Sequence, residues 1–350
     1  MTGQQSLLRL AGLLVVAFVA TLALLAGGWA ILGRAPTGTG ASGAPSSPAL
    51  GTASPASPAS PASPASSAAS SPGPVTSGVP GGSVDPTVVL TGAGDIADCT
   101  LPGANQTSDL LLTQAGSIFT VGDNAYPDGT VANYADCYGP TWGRVRDRTA
   151  LPGAGTHDWN TDGAAGYLGY FGSAAAPKGT TWYARDLGDW HVVVLDSDCA
   201  KVGGCDADSP QGRWLKQDLA ASTAHCTLAI WHHPRFSSGE HGNDPTVAPF
   251  WDQLHAAGAE LVVNGHDHDY ERFAPQNPSG VVERPGGLRE IVVGTGGAEL
   301  RSFHTQAANS EFRQSGVWGV LQLTLHPVNY DWEFLPVGGD VADSGSTPCH

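Results

Sequence analysis

Strand-like apolar runs recur through the second half of this chain, and most of its chemically distinctive residues stand directly after them. The runs are Thr87–Gly92, Ser117–Val121, His191–Leu195, Thr227–Trp231, Leu261–Val263 and Ile291–Val293. Helical patterns separate several of them, at Asn105–Gln114, Ser209–Ala221 and Val247–Ala257, and Ser209-Pro210 reads as an N-cap followed by proline in the first turn. Strands alternating with helices predict an α/β layered domain. Sheets of that kind gather their ligands beyond the C-terminal ends of the strands. The end of the chain differs: Val317–Leu325 and Val328–Leu335 alternate apolar and polar residues about His326-Pro327, which predicts a closing hairpin.

Not all 350 residues are available to that domain. Leu10 to Leu32 carries no charge and is flanked by Arg9 and Arg34. A helix of that length, rising about 1.5 Å per residue, can span a bilayer core. A cleavable signal peptide has a shorter apolar region, about 7–15 residues. Residues 1–34 therefore read as a signal peptide or, by length, an uncleaved membrane anchor. Either predicts an extracytoplasmic protein, secreted or membrane-anchored. Residues 35–85 are almost wholly Ala, Ser, Pro, Gly and Thr, with Ala-Ser-Pro repeated from Ala53 to Pro64. Such a segment buries too little apolar surface to offset its ordering entropy, which predicts a disordered linker. Residues 86–350 are left for one domain with a sizeable core.

The net charge of −16 argues against nucleic-acid binding through a basic surface. It leaves an anionic substrate open, because bound metal ions invert the local field. The cysteines Cys99, Cys137, Cys199, Cys205, Cys226 and Cys349 are even in number, as disulfides of an exported chain would be. Cys199 and Cys205 enclose a short glycine-rich loop and are the foremost pair. Cys99 with Cys137 and Cys226 with Cys349 is one of the three arrangements then open to the remaining four.

Five blocks of possible metal ligands follow one another. The first is Gly92-Ala93-Gly94-Asp95, where a strand-end carboxylate is costly to bury unless it is paired or metal-bound. The second is Gly122-Asp123-Asn124-Ala125-Tyr126. One Asp there can bridge two cations, and a phenolate three residues on suits a hard trivalent ion. Alone, Gly-Asp-Asn would be an ordinary turn. In the third, Gly155-Thr156-His157-Asp158, an imidazole beside a carboxylate can donate a proton. The fourth is Trp231-His232-His233-Pro234-Arg235. Its adjacent histidines point in different directions, so one is expected to be a ligand, and Arg235 can grip a phosphate with its planar fork. The fifth, Asn264-Gly265-His266-Asp267-His268-Asp269-Tyr270-Glu271-Arg272, puts two imidazoles in one loop, each able to face a different ion. Carboxylates, a phenol and imidazoles form a donor set for two metals. Cysteine-rich zinc sites and a Gly-x-Ser-x-Gly hydrolase elbow are both missing.

This order of blocks, from Gly94 to Arg272, resembles the calcineurin-like metallophosphoesterases and, within them, the purple acid phosphatases. The most specific signals are Gly-Asp-x-x-Tyr at 122–126 and Gly-His-x-His-x-Tyr-Glu-Arg at 265–272. The resemblance implies a layered β-sandwich flanked by helices. It implies that Asp95, Asp123, Tyr126 and His268 bind an iron-like metal. Asp123 would bridge to a second, divalent ion (zinc, manganese or iron) held by His232 and His266. The His-x-Pro spacing at 232–234 selects His232 over His233, and His241 matches a substrate-side histidine. Ala97 stands where other members of the superfamily have a histidine, as in the purple type. Thr156 stands where the family has an Asn whose amide oxygen binds the second metal. A hydroxyl is shorter and a poorer donor, which implies a weaker second site.

The expected activity is hydrolysis of a small phosphate ester by attack of a metal-bound hydroxide, with His157 or His241 protonating the leaving oxygen. The competing expectation is a metal-binding surface protein whose catalysis has weakened, for which Thr156 speaks.

Overall fold

The computed structural model describes residues 87–350. The apolar stretch and the Ala/Ser/Pro segment lie outside the described residues. Among those described, no helix is long and apolar enough to cross a membrane.

Among the described residues, thirteen strands form two sheets. They are β1 Val88–Ala93, β2 Ser117–Val121, β3 Thr149–Gly153, β4 Tyr183–Leu187, β5 Trp190–Val194, β6 Cys226–Ile230, β7 Leu261–Asn264, β8 Tyr270–Phe273, β9 Arg289–Val293, β10 Ser310–Gln314, β11 Gly319–Leu325, β12 Asn329–Pro336 and β13 Asp343–Pro348. The first sheet runs β13-β12-β11-β1-β2-β3 and the second β10-β8-β9-β7-β6-β5-β4. Each has a parallel heart, β1/β2/β3 in one and β5/β6/β7/β9 in the other, extended by antiparallel strands.

The central strands β5, β6 and β7 of the second sheet are apolar on both faces because each face has its own core. Val192, Val194, Leu228, Ile230, Leu261 and Val263 join Leu90, Ile118, Leu151 and Leu321 of the first sheet in one cluster. Their neighbours Val193, Ala229 and Val262 join a second cluster with Leu215, Phe250, Trp251 and Leu254. This period of two is the pleat of a strand. It makes the body a sandwich of two sheets with helices outside, as expected. The helices supplying the second core are Pro210–Ala221 and Ala248–Ala256, and Gly103–Thr113 packs against β11. Ser209 caps Pro210–Ala221, its hydroxyl accepting from the Gly212 N–H at 2.9 Å.

The predicted hairpin forms from β11 and β12 and gains a third strand, β13. β13 was not expected, because its sequence Asp-Ser-Gly-Ser-Thr-Pro is polar and shows no apolar alternation. The disulfides pair Cys99 with Cys137, Cys199 with Cys205, and Cys226 with Cys349. The last ties β6 to the end of the chain.

Candidate metal centre

Every ligand block lies just past the C-terminal end of a strand: Asp95 after β1, Asp123 after β2, Thr156 and His157 after β3, His232 after β6, and His266 and His268 after β7. Because parallel strands bring these ends together, residues far apart in sequence become neighbours. Of the five non-glycine residues with positive φ among the described residues, three are Asp95 (58°), Asp123 (50°) and His266 (70°). Such conformations cost about 1–3 kcal/mol and persist where the surroundings enforce them, often at functional sites. Two glycines are required by closeness. A Cβ on Gly265 would sit 2.6 Å from an Asp95 carboxylate oxygen, and one on Gly122 (φ +94°) 2.6 Å from the His232 ring.

The donors fall into two groups that share an atom. In the first, Tyr126 Oη lies 3.0 Å from Asp95 Oδ1, 3.2 Å from Asp123 Oδ2 and 3.3 Å from His268 Nε2. His268 Nε2 is also 3.2 Å from Asp95 Oδ1. In the second, His232 Nε2 lies 3.2 Å from the same Asp123 Oδ2 and 3.2 Å from His266 Nδ1. Two rings are aimed by backbone carbonyls: His232 Nδ1 donates to Val121 at 2.9 Å and His268 Nδ1 to Glu299 at 2.5 Å. That leaves each Nε2 facing the donors, the arrangement in which a second partner orients a ligand. Backbone N–H groups take the remaining carboxylate oxygens, His157 donating to Asp123 Oδ1 at 2.7 Å and His266 to Asp95 Oδ2 at 2.8 Å.

The electrostatics call for a positive charge here. Burial works to raise the Asp123 carboxyl, but His232 and His157 outweigh it and hold the group low. Burial opposes a charge on His232, yet Asp123 and Asp95 push it up to about 10. Burial and the adjacent His232, His233 and His241 keep His266 neutral. Tyr126 is pushed far above the usual phenol range by burial, then by Asp95 and Asp123. A proton on His232 thus supplies part of the positive charge that two buried carboxylates need. A cation would meet that need more fully, and would be required to ionise Tyr126. The oxygen and nitrogen donors present therefore fit hard or borderline metal ions.

The third block divides its tasks. His157 packs against Tyr126 with centroids 4.3 Å apart and the rings tilted by 43°, its Nε2 3.8 Å from Asp123 Oδ2 and its Nδ1 bonded to the Pro127 carbonyl. Asp158, the carboxylate beside that imidazole in the sequence, makes its contacts elsewhere. It is buried and accepts from Tyr134 Oη at 2.6 Å, Asn124 Nδ2 at 2.8 Å and the Gly155 N–H at 3.0 Å, pinning the second and third blocks together. Thr156 Oγ1 lies 3.1 Å from His233 Nε2, and His233 Nδ1 lies 2.7 Å from Ser197 Oγ. Burial and His232 push His233 down to about 4, so it is neutral between the two hydroxyls. Ser197 follows β5, a strand end whose Asp-Ser-Asp sequence was a signal left unread.

His241 joins the cluster, its ring stacked on His266 with centroids 4.1 Å apart and 28° between planes. Its loop is held by buried carboxylates. Glu290 accepts from the Arg235 and Phe236 N–H groups, Glu271 from the Ser238 N–H, and Asp267 from the His241 N–H. Arg235 makes none of the cluster's contacts. Its guanidinium lies over the Phe236 ring at 4.7 Å, and its Nε is buried without a partner. Arg272, at the end of the fifth block, instead binds Asp343 through Nε at 2.8 Å. The arginine at the cluster is Arg301, 2.5 Å from His241 Nε2. Sequence reasoning missed it, although it lies just beyond the Gly-Thr-Gly-Gly that follows β9.

No family model matches the chain. It is 30% identical over 122 residues to purple acid phosphatase 18 of Arabidopsis thaliana, a match covering 33% of this chain and 26% of that protein. The chain thus spans about a quarter of that relative's length. The purple acid phosphatase PPD1 from yellow lupin seeds superposes with a TM-score of 0.63 at 17% identity, over 75% of this chain and 54% of that one. PhoD superposes with a TM-score of 0.51 at 12% identity, over 77% and 71%. At those identities the two superpositions speak to fold alone.

Proposed function

We propose, from the relation of this chain to the calcineurin-like metallophosphoesterases, whose fold it shares, that it is an exported phosphoesterase working with two metal ions. The observation that carries this reading is the shared oxygen, Asp123 Oδ2, 3.2 Å from both Tyr126 Oη and His232 Nε2. Asp95, Asp123, Tyr126 and His268 would hold one ion, and the phenol favours iron. Asp123, His232 and His266 would hold the other, a divalent ion, with Thr156 beside them. Bound there, the pair would polarise a phosphoryl group and acidify a water molecule.

The protein's own groups account for the rest. The His157 N–H fixes Asp123, and the carbonyls of Val121 and Glu299 fix the His232 and His268 rings. The His157 and His241 side chains lie at the open side of the cluster, where each can pass a proton to a leaving oxygen. A small phosphorylated substrate suits so compact a donor set. Three disulfides suit an oxidising compartment, in keeping with export.

Thr156 favours a second reading, a metal-binding surface protein with weakened catalysis. Its hydroxyl is engaged by His233. One experiment separates the readings: elemental analysis and a visible spectrum of the purified protein, with a chromogenic phosphomonoester assay. Two metals per chain with turnover is the expected result. Metal without turnover would leave the second reading, and a chain that binds no metal would sink both.

A further inference from the structure

The segment after β9 grips the fifth block from two sides. The Glu299 carbonyl accepts from His268 Nδ1 at 2.5 Å, and the Arg301 N–H donates to the His268 carbonyl at 3.1 Å. The strap that aims His268 therefore also fixes where Arg301 leaves the backbone. From there the guanidinium reaches His241, Nη1 to Nε2 2.5 Å, and His241 in turn stacks on His266. Arg301 Nε is 3.5 Å from a Glu240 carboxylate oxygen, and the Arg301 side chain is 30% exposed. Among the described residues, Arg301 is the arginine whose guanidinium hydrogen-bonds a histidine of the cluster. It stands at the open side of the donors, one imidazole away from His266.

We propose that Arg301 is the substrate-gripping residue of this site, its guanidinium receiving non-bridging oxygens of a phosphomonoester beside His241. The proposal rests on the phosphoesterase reading and names its substrate class. A guanidinium is a planar fork matched to phosphate oxygens, and it keeps its charge at any working pH. A monoester carries one more non-bridging oxygen, and at neutral pH about one more negative charge, than a diester. The extra oxygen needs a cation besides the metals. Glu240 balances the guanidinium and holds it at the rim, so that an incoming phosphate exchanges one anionic partner for another.

The test uses the full chain loaded with metal. Inorganic phosphate is titrated calorimetrically into the parent, Arg301→Ala and Arg301→Lys, with metal content measured on the same samples. Both variants keep the backbone N–H that ties the strap to His268. Arg301→Ala is expected to weaken phosphate binding about tenfold or more at unchanged metal content, with Arg301→Lys between it and the parent. kcat/KM for p-nitrophenyl phosphate should fall in step, and that for bis(p-nitrophenyl) phosphate by less than about threefold. A phosphate affinity in Arg301→Ala equal to the parent's would overturn the proposal. So would equal losses on both esters, or lost metal along with lost phosphate, since either marks a merely structural residue. Failure of the phosphoesterase reading looks different: the loaded parent hydrolyses neither ester, while the phosphate titration still reads Arg301.

Discussion

Tyr126 and His268 are 142 residues apart in sequence, yet the phenol oxygen lies 3.3 Å from the imidazole Nε2. The contact joins the second and fifth ligand blocks and puts the phenol between two carboxylates. A ferric ion among these donors would give a phenolate charge-transfer band. In iron-loaded Tyr126→Phe that band should disappear, with stability lowered by only about 1–2 kcal/mol for the lost hydroxyl. Visible absorption of the loaded variant checks it, and colour that survives the substitution would take Tyr126 out of the metal site.

Asp123 offers one oxygen to both groups of donors. Asp123→Asn should lower metal content at both positions and reduce turnover by more than about a hundredfold. Metal analysis beside kinetics decides the matter. Two ions per chain with near-parent turnover would mean that Asp123 does not bridge.

Thr156 should weaken the second position. Thr156→Asn places an amide oxygen there, and the divalent-metal concentration for half-maximal activity should fall. The substitution also removes the hydroxyl that meets His233 at 3.1 Å. An unchanged or higher requirement for metal would show that the partnership with His233, and not metal affinity, explains the threonine.

His191 makes its contacts with Asp186 and Asp218 and with none of the cluster's donors, so it makes a pH prediction independent of metal. Its ring nitrogens are 2.7 Å from Asp186 and 2.8 Å from Asp218. Burial works against its charge, and the two carboxylates outweigh burial, so its pKa is raised in the folded protein. A raised folded pKa stabilises fully below the unfolded value of about 6.5 and loses that contribution as pH rises through the folded value. The stability gap between the parent and His191→Gln, measured by urea unfolding, should therefore be larger near pH 5.5 than near pH 9. A gap that does not change with pH would refute the ion-pair account.

The sequence by itself determined β1, β2, β5, β6, β7 and β9 of the parallel hearts, and it picked out the blocks of possible ligands; it did not show β3, whose Thr-Ala-Leu-Pro-Gly is short and interrupted by proline. Apolar periodicity and strand-end glycines are local signals, and the parallel α/β pattern implies where the strand ends gather. That is why Asp95, Asp123, Tyr126, His232, His266 and His268 could be grouped before any geometry was known. The polar edge strand β13 left no such trace, because its residues are not apolar and its order comes from pairing with β12. Only the tertiary structure decided the tasks of the polar residues around the cluster. Asp158 pins two loops and does not aim His157. Arg235 lies over Phe236, and Arg301 takes the place at the cluster. A side chain's partner depends on which backbone groups and charges the fold brings within about 3 Å of it, a distance that spacing along the chain does not encode.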